Sequence, residues 1–299
     1  MIKRWLSLFG FGFFLFVIFV ILTFPFERIG PRISRQLEQS LSDIFRTSLS
    51  CELNGFGFHF PLGVKADLVA CKGRRPSESF QVSDLKLRLL PFSQRASFGV
   101  GEGSIEVHTN FGLSTRLKNL RATIQKLDIK PVLPLVYQLI RNSGALVLIQ
   151  PEVEGQLNGQ IDLPIDSWPK GVGTMELEAA NLKLPTQPAL EFIGLNDLQF
   201  DEAKFEAELK DSKLSIKSFN LLSTPLSAKL TGDLDLEGAS LMTAKASLIF
   251  KWKVQRSDAL VSSQFGSILL DAPCSSPDAQ GFCTKSITQL PEITRIFAN

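Results

Sequence analysis

The chain has 299 residues, 44% of them hydrophobic, and a formal net charge of +2 from 32 basic and 30 acidic side chains. That composition lies outside the disordered range and supplies apolar material for one large domain or two small ones. Balanced charge, with no basic run interleaved with aromatics, argues against nucleic acid as a partner.

Residues 5–24, WLSLFGFGFFLFVIFVILTF, carry no charge. A helix of that length reaches about 30 Å, the thickness of a bilayer's hydrocarbon core. Lys3 and Arg4 before it leave residues 1–4 in the cytoplasm and send the rest across, although Arg28, Arg32 and Arg35 weaken the bias. A cleaved signal peptide is the alternative. It wants a shorter apolar core and a small-residue cleavage site, whereas this segment runs on into TFPFERIG, which favours an uncleaved transmembrane signal anchor. Residues 25–49 then place Ile29, Ile33, Leu37, Leu41, Ile44 and Phe45 at steps of three and four, which predicts an amphipathic linker helix with Pro31 in its first turn. Its apolar stripe can lie on the membrane or pack onto the following domain, and packing is the plainer reading.

From about residue 50 the period falls to two, and strands are expected. Val64, Ala66, Leu68 and Ala70 alternate with Lys65, Asp67 and Val69; Leu85, Leu87 and Leu89 alternate with Lys86 and Arg88; Ile105 and Val107 alternate with Glu106 and His108. Further runs cover 157–165, 175–179, 205–209, 214–216 and 228–236. In LMTAKASLIFKWK, residues 241–253, Met242, Ala244, Ala246, Leu248, Phe250 and Trp252 share one side. As one strand that run covers about 40 Å, and an internal bulge or turn would halve it. One helix interrupts the strands in KPVLPLVYQLIRNSG, where Val132, Leu135, Val136, Leu139 and Ile140 keep helical spacing; it plugs or flanks the sheet. A second short helix is expected within 257–270, and DAPCSSPDAQGFC reads as a loop.

Two segments share a glycine device: LNGQIDL at Leu157–Leu163 and LTGDLDL at Leu230–Leu236. In each, glycine falls on the apolar side, in register with Leu157, Ile161 and Leu163 or with Leu230, Leu234 and Leu236. It either lets a bulky neighbour sit over it or marks a bulge that bends the sheet into a trough. An ordinary turn at Asn158–Gly159 is the alternative for the first segment.

The four cysteines fit two local disulfides in an oxidising compartment, Cys51 with Cys71 and Cys274 with Cys283; four unrelated buried thiols are the alternative. Only two histidines are present, His59 and His108, and neither has a metal-binding neighbour at useful spacing, so both read as strand residues. GVGEG at 99–103 is a turn and not a dinucleotide fingerprint; GxSxG, HExxH and P-loop patterns are absent from the sequence. Asp233 and Asp235 project from the wet face of one strand. No cofactor is implied.

The uncharged N-terminal segment followed by FPFE and an amphipathic helix, the leucine–proline helix in LDIKPVLPLVYQLI, and the glycine-punctuated strands in VEGQLNGQIDLPI and SAKLTGDLDLEGASL resemble the GspN family of type II secretion proteins. More distantly they resemble the AsmA-like envelope proteins. The similarity is one of pattern over about residues 5–255, and the C-terminal cysteine loop matches no general family pattern. The resemblance implies a single-pass bacterial inner-membrane protein whose main domain, residues 50–299, lies in the periplasm beside type II secretion proteins. From the AsmA-like relatives it implies a taco-shaped sheet whose greasy inner face holds phospholipid. It brings no catalytic residues.

The expected fold is therefore mainly β: an N-terminal transmembrane helix followed by an elongated, curved antiparallel sheet with one or two short helices. The expected function is a noncatalytic scaffold or docking element of the secretion machine. The alternative is a lipid-binding or lipid-transfer module using an apolar groove lined by Leu157, Ile161, Leu163, Leu230, Leu234, Leu236, Leu248, Phe250 and Trp252. A hydrolase with dispersed residues ranks third.

Overall fold

The computed structural model describes residues 35, 50–59, 63–72, 79–90, 93–111, 117–142, 152–186, 197–224, 226–237, 244–255, 274 and 277–289. The expected anchor at 5–24, all but Arg35 of the expected helix at 25–49, and the short helix expected in 257–270 lie outside these residues. Among the described residues no helix is long and apolar enough to cross a membrane.

Alternating sequence becomes strand almost throughout. The elements are β1 (Ser50–Asn54), β2 (Gly57–His59), β3 (Gly63–Lys72), β4 (Phe80–Leu90), β5 (Ser93–Val100), β6 (Gly103–Phe111), β7 (Leu117–Asp128), α1 (Ile129–Asn142), β8 (Glu154–Pro164), β9 (Gly173–Leu184), β10 (Leu198–Gln199), β11 (Glu202–Lys210), β12 (Lys213–Leu222), β13 (Leu226–Asp235), β14 (Lys245–Val254) and β15 (Cys283–Ile287). They form one open fifteen-stranded sheet, antiparallel throughout, in which β2 and β10 pair only with β3 and β9 and the remaining strands follow one another in chain order from β1 to β15. At about 4.8 Å per strand the path is about 60 Å wide. Each strand meets its sequence neighbour, so the ladder is built from local connections. An antiparallel sheet of this kind can bury one face and wet the other, which is what clean alternation along a strand encodes.

Within the run at 241–253 the described residues keep an unbroken register: Leu226–Asp235 of β13 pairs residue for residue with Lys245–Val254 of β14, so no turn interrupts that strand. GVGEG is the expected turn, joining Val100 to Gly103. α1 matches the helical spacing but differs in two details. The spacing expects both prolines in the first turn, but Pro134 lies inside the helix; Val136, expected on the apolar stripe, faces solvent with 39% exposure, while Val132, Leu133 and Tyr137 are half-buried. β3 corrects a second expectation. Val69 is buried as well as Ala70, 4% exposed and clustered with Ala66, Cys71 and Cys51, beside the point where β4 carries Asp84 at φ 50° and its register with β5 shifts.

The glycines mark bulges, and neither forms a turn. Gly159 opposes Ile124, where β7 inserts an extra residue before Leu127 opposes Leu157; Gly232 opposes Ile216, where β12 inserts one before Phe219 opposes Leu230. A Cβ on Gly159 would collide with the Glu176 carbonyl oxygen, and one on Gly232 with that of Ser247. The next strand's backbone fills the missing bulk. Gly232 also sits at φ +123°, a region that favours glycine.

Gly232→Val is therefore expected to cost about 3 kcal/mol or to prevent folding, whereas Thr231→Val beside it, on the exposed face, stays within about 0.5 kcal/mol of wild type. Urea unfolding of the purified chain measures both, and equal effects would contradict the close approach at Gly232.

Candidate functional site: the apolar face

Register carries one row of side chains across most of the sheet. Ile161 opposes Met175, which opposes Ala207; Ala207 opposes Ile216, which opposes Gly232; Gly232 opposes Leu248, which opposes Ile287. The neighbouring row runs from Gly159 through Leu177, Phe205, Phe219 and Leu230 to Phe250. Directly opposed residues of an antiparallel pair point to one face. Ile161, Leu230, Leu248 and Phe250, far apart in sequence, thus line the same surface. Leu157 and Leu163 join through two-residue steps along β8, Leu234 along β13 and Trp252 along β14. Leu236, just past β13, is fixed by its N–H donating to the Ser212 carbonyl at 2.8 Å.

Burial divides these positions into two groups. Leu234, Leu236, Leu248, Phe250 and Trp252 are 1–6% exposed and pack with Leu209, Leu214 and Ile287 in one core cluster, where Phe250 stacks on Trp252 with ring centroids 5.6 Å apart. They form packed interior. Leu157, Ile161, Leu163 and Leu230 are half-buried, as are Phe98, Ile105, Ile124 and Leu177. The half-buried apolar surface runs over β5 to β9, and its row continues through Phe205, Phe219 and Leu230, which pack against the core cluster. Phe98, Ile124 and Leu177 are missing from the sequence-derived set; extending the alternation through SQRASFGV, ATIQKL and MELEAA finds them once the pairing is known.

α1 leaves the end of β7 and touches both β8 and β4, so it lies beside this surface at one end of the strands. Lys130 on its first turn pairs with Glu154 at 2.8 Å and Glu152 at 3.6 Å, anchoring it to β8. Burial of Tyr137 pushes its hydroxyl pKa up. At the opposite end, the β8–β9 connection exposes Ile165, Trp168 and Val172 by 37%, 46% and 65%. Backbone bonds from Ile165 and Asp166 to the Lys118 carbonyl and from Ser212 to the Pro169 carbonyl hold that loop in place.

The other face is a charge lattice. Arg121 meets Asp162 at 2.6 Å, and Lys213 meets Asp233 at 2.8 Å; the Lys213 bond, then one from the Ser215 hydroxyl at 2.6 Å, holds the Asp233 carboxyl below its usual range. His59 and His108 lie in β2 and β6, as strand residues. Among the described residues no group of three or more His, Cys, Asp and Glu side chains could hold a metal ion. The cysteines form Cys51–Cys71 and Cys274–Cys283 disulfides, with Cys51 directly opposite Cys71 across β1 and β3.

Leu248→Ala is expected to cost about 3 kcal/mol and Ile161→Ala about 1 kcal/mol, since the first leaves a cavity in packed core and the second sits at a half-open surface. Denaturant titration of the two variants measures the difference, and equal costs would contradict the division of the face.

Comparison with protein-family models, with curated proteins and with solved structures finds no match for this chain.

Proposed function

We propose that the chain is a noncatalytic envelope scaffold, anchored in the bacterial inner membrane by residues 5–24, whose periplasmic sheet docks on proteins of a type II secretion system. The observation that carries this reading is the braced loop at one end of the strands, which presents Ile165, Trp168 and Val172 to solvent. Exposed aromatic and aliphatic side chains on a fixed support suit protein contact. The pattern resemblance to GspN proteins supplies the pathway. The periplasmic setting is supported by two disulfides that tie short local loops.

A second reading is favoured by the half-buried rows over β5 to β9. We read the apolar face as the inside of a trough, because open sheets of this many strands curl as they twist and the bulges opposite Gly159 and Gly232 add twist. Such a trough holds acyl chains of phospholipid. Docking and lipid binding occupy different surfaces and are compatible.

Deletion of the gene in its own cells is expected to leave exported, folded cargo in the periplasm, with export across the inner membrane unchanged; normal release of cargo would contradict the secretion role. Native mass spectrometry of the full chain tests the trough. Phospholipid is expected on the wild type and lost from a folded Ile161→Asp variant, and an empty wild type would contradict lipid binding. In intact cells all four cysteines should resist a maleimide tag until reduced; free thiols before reduction would contradict the periplasmic location.

A further inference from the structure

On the wet face of β3 to β7, basic side chains stand side by side. Register sets Lys65 opposite Lys86 and Arg88 opposite Arg95, and places His108 between Arg95 and Arg121. Like charges directly opposite one another destabilise a strand pair. Farther along the same face both signs are mixed: Arg121 opposes Asp162, Glu178 opposes Lys204 and Asp235 opposes both Lys213 and Lys245, while Glu176 opposes Glu206, Lys210 opposes Lys213 and Lys229 opposes Lys251. From β3 to β5 the directly opposed charged pairs are all basic.

The concentration surrounds a cavity of about 260 Å³ lined by Lys86, Arg88, Arg95, Ser97 and Glu106. Three cations face one carboxylate. Arg95 is engaged by Glu106, a bond that holds the Glu106 carboxyl ionised and below its usual range, and His108 Nε2 lies 3.5 Å from the same carboxylate. Arg88 donates from Nε to His59 Nε2 at 2.9 Å, and no carboxylate among the described residues pairs with it. Lys86 reaches only Asp84, at 3.8 Å, and that carboxylate is 76% exposed. A second cavity on the wet face, about 330 Å³, is lined by Glu208, Lys210, Asp211, Lys213, Ser215 and Lys217. There two of the three lysines are paired with carboxylates, Lys213 with Asp233 at 2.8 Å and Lys217 with Glu208 at 3.3 Å.

We propose that the cavity between β4, β5 and β6 binds a doubly charged phosphoryl group through Arg88, Lys86 and the Ser97 hydroxyl. A phosphomonoester carries about −1.5 to −2 charge at neutral pH, which matches the excess of cations over Glu106. The Arg88 guanidinium offers a planar fork for two phosphoryl oxygens, and Lys86 adds a point charge. All the lining residues stand on interior strands paired on both sides, so the ladder fixes their spacing before any ligand arrives. The cost of opposing like charges is offset when the anion binds. Free phosphate and the headgroup of a phosphomonoester lipid share this chemistry.

The test is thermal unfolding of the full chain in nonionic detergent with inorganic phosphate, dioctanoyl phosphatidic acid or dioctanoyl phosphatidylcholine, against sodium chloride of equal ionic strength. At about 10 mM, phosphate should raise the wild-type midpoint by about 2–4 °C and phosphatidylcholine should leave it unchanged. Arg88→Gln should melt at or above the wild-type midpoint without ligand, because it relieves repulsion from Arg95, and should lose the phosphate-dependent rise. Lys86→Gln should weaken that rise. A shift with phosphatidic acid alone, lost in Arg88→Gln, would assign the site to a lipid headgroup. Three results would overturn the proposal: no shift with either phosphoryl probe, an equal shift in wild type and Arg88→Gln, or an Arg88→Gln protein that melts well below wild type, which would make Arg88 a structural support for His59.

Discussion

The structure depends on keeping a two-residue period in phase across neighbouring strands. A slip of one residue anywhere would turn a strand's apolar side chains to water and its charges inward. The rows through Ile161 and Leu248, and through Gly159 and Phe250, exist because every pair from β8 to β14 keeps that phase. Where β7 and β12 carry an extra residue, the strand resumes on the correct face, so Ile124 and Leu127 still oppose Gly159 and Leu157. The glycine opposite each bulge gives the adjoining strand room to close up. Bulge and glycine together absorb an insertion without losing the row.

The two ends of the strand path face a different problem. Among the described residues β1 pairs only with β3 and β15 only with β14, so each ladder is held from one side. Cys51–Cys71 ties β1 directly to β3, and Cys274–Cys283 ties the start of β15 to its preceding loop. Inside that loop the Asp278 carboxylate accepts from the backbone N–H groups of Phe282 and Gln280, at 2.9 and 3.0 Å. Lys229 and Lys253 lie over the Phe282 ring, 5.0 and 5.8 Å from its centroid. Covalent and polar bonds are concentrated where the sheet has least backbone support. The surface ion pairs between are individually worth little, and their collective effect is to mark which face is wet.

Legibility in the sequence follows the strength of alternation. β6, β13 and β14 are plain because bulky and charged residues take turns, and α1 is plain because its aliphatic residues recur at three and four, so that 130–144 is expected and Ile129–Asn142 is observed. β5, SQRASFGV, and β7, LKNLRATIQKLD, escape the sequence reading because serine, alanine, threonine and asparagine carry weak contrast and the extra residue near the end of β7 breaks the period. β15 is hidden beside a turn-rich loop. The apolar face can be read from single strands, but the degree of burial along it cannot. Leu248 at 1% exposure and the half-buried Ile161 occupy one row and look alike in sequence; what separates them is the packing around Leu209, Leu214 and Ile287, contributed by other strands. The cation block on the wet face is equally hidden, since Arg88 and Arg95 become neighbours only through pairing.

The most direct test of the proposed lipid-facing side is photocrosslinking of the full chain in cells that express it, with benzoylphenylalanine placed at Ile161 or at adjacent Gln160. Lipid adducts are expected from position 161 and not from position 160, because the two side chains leave β8 on opposite faces. Equal adducts at both positions, or adducts from 160 alone, would contradict the account.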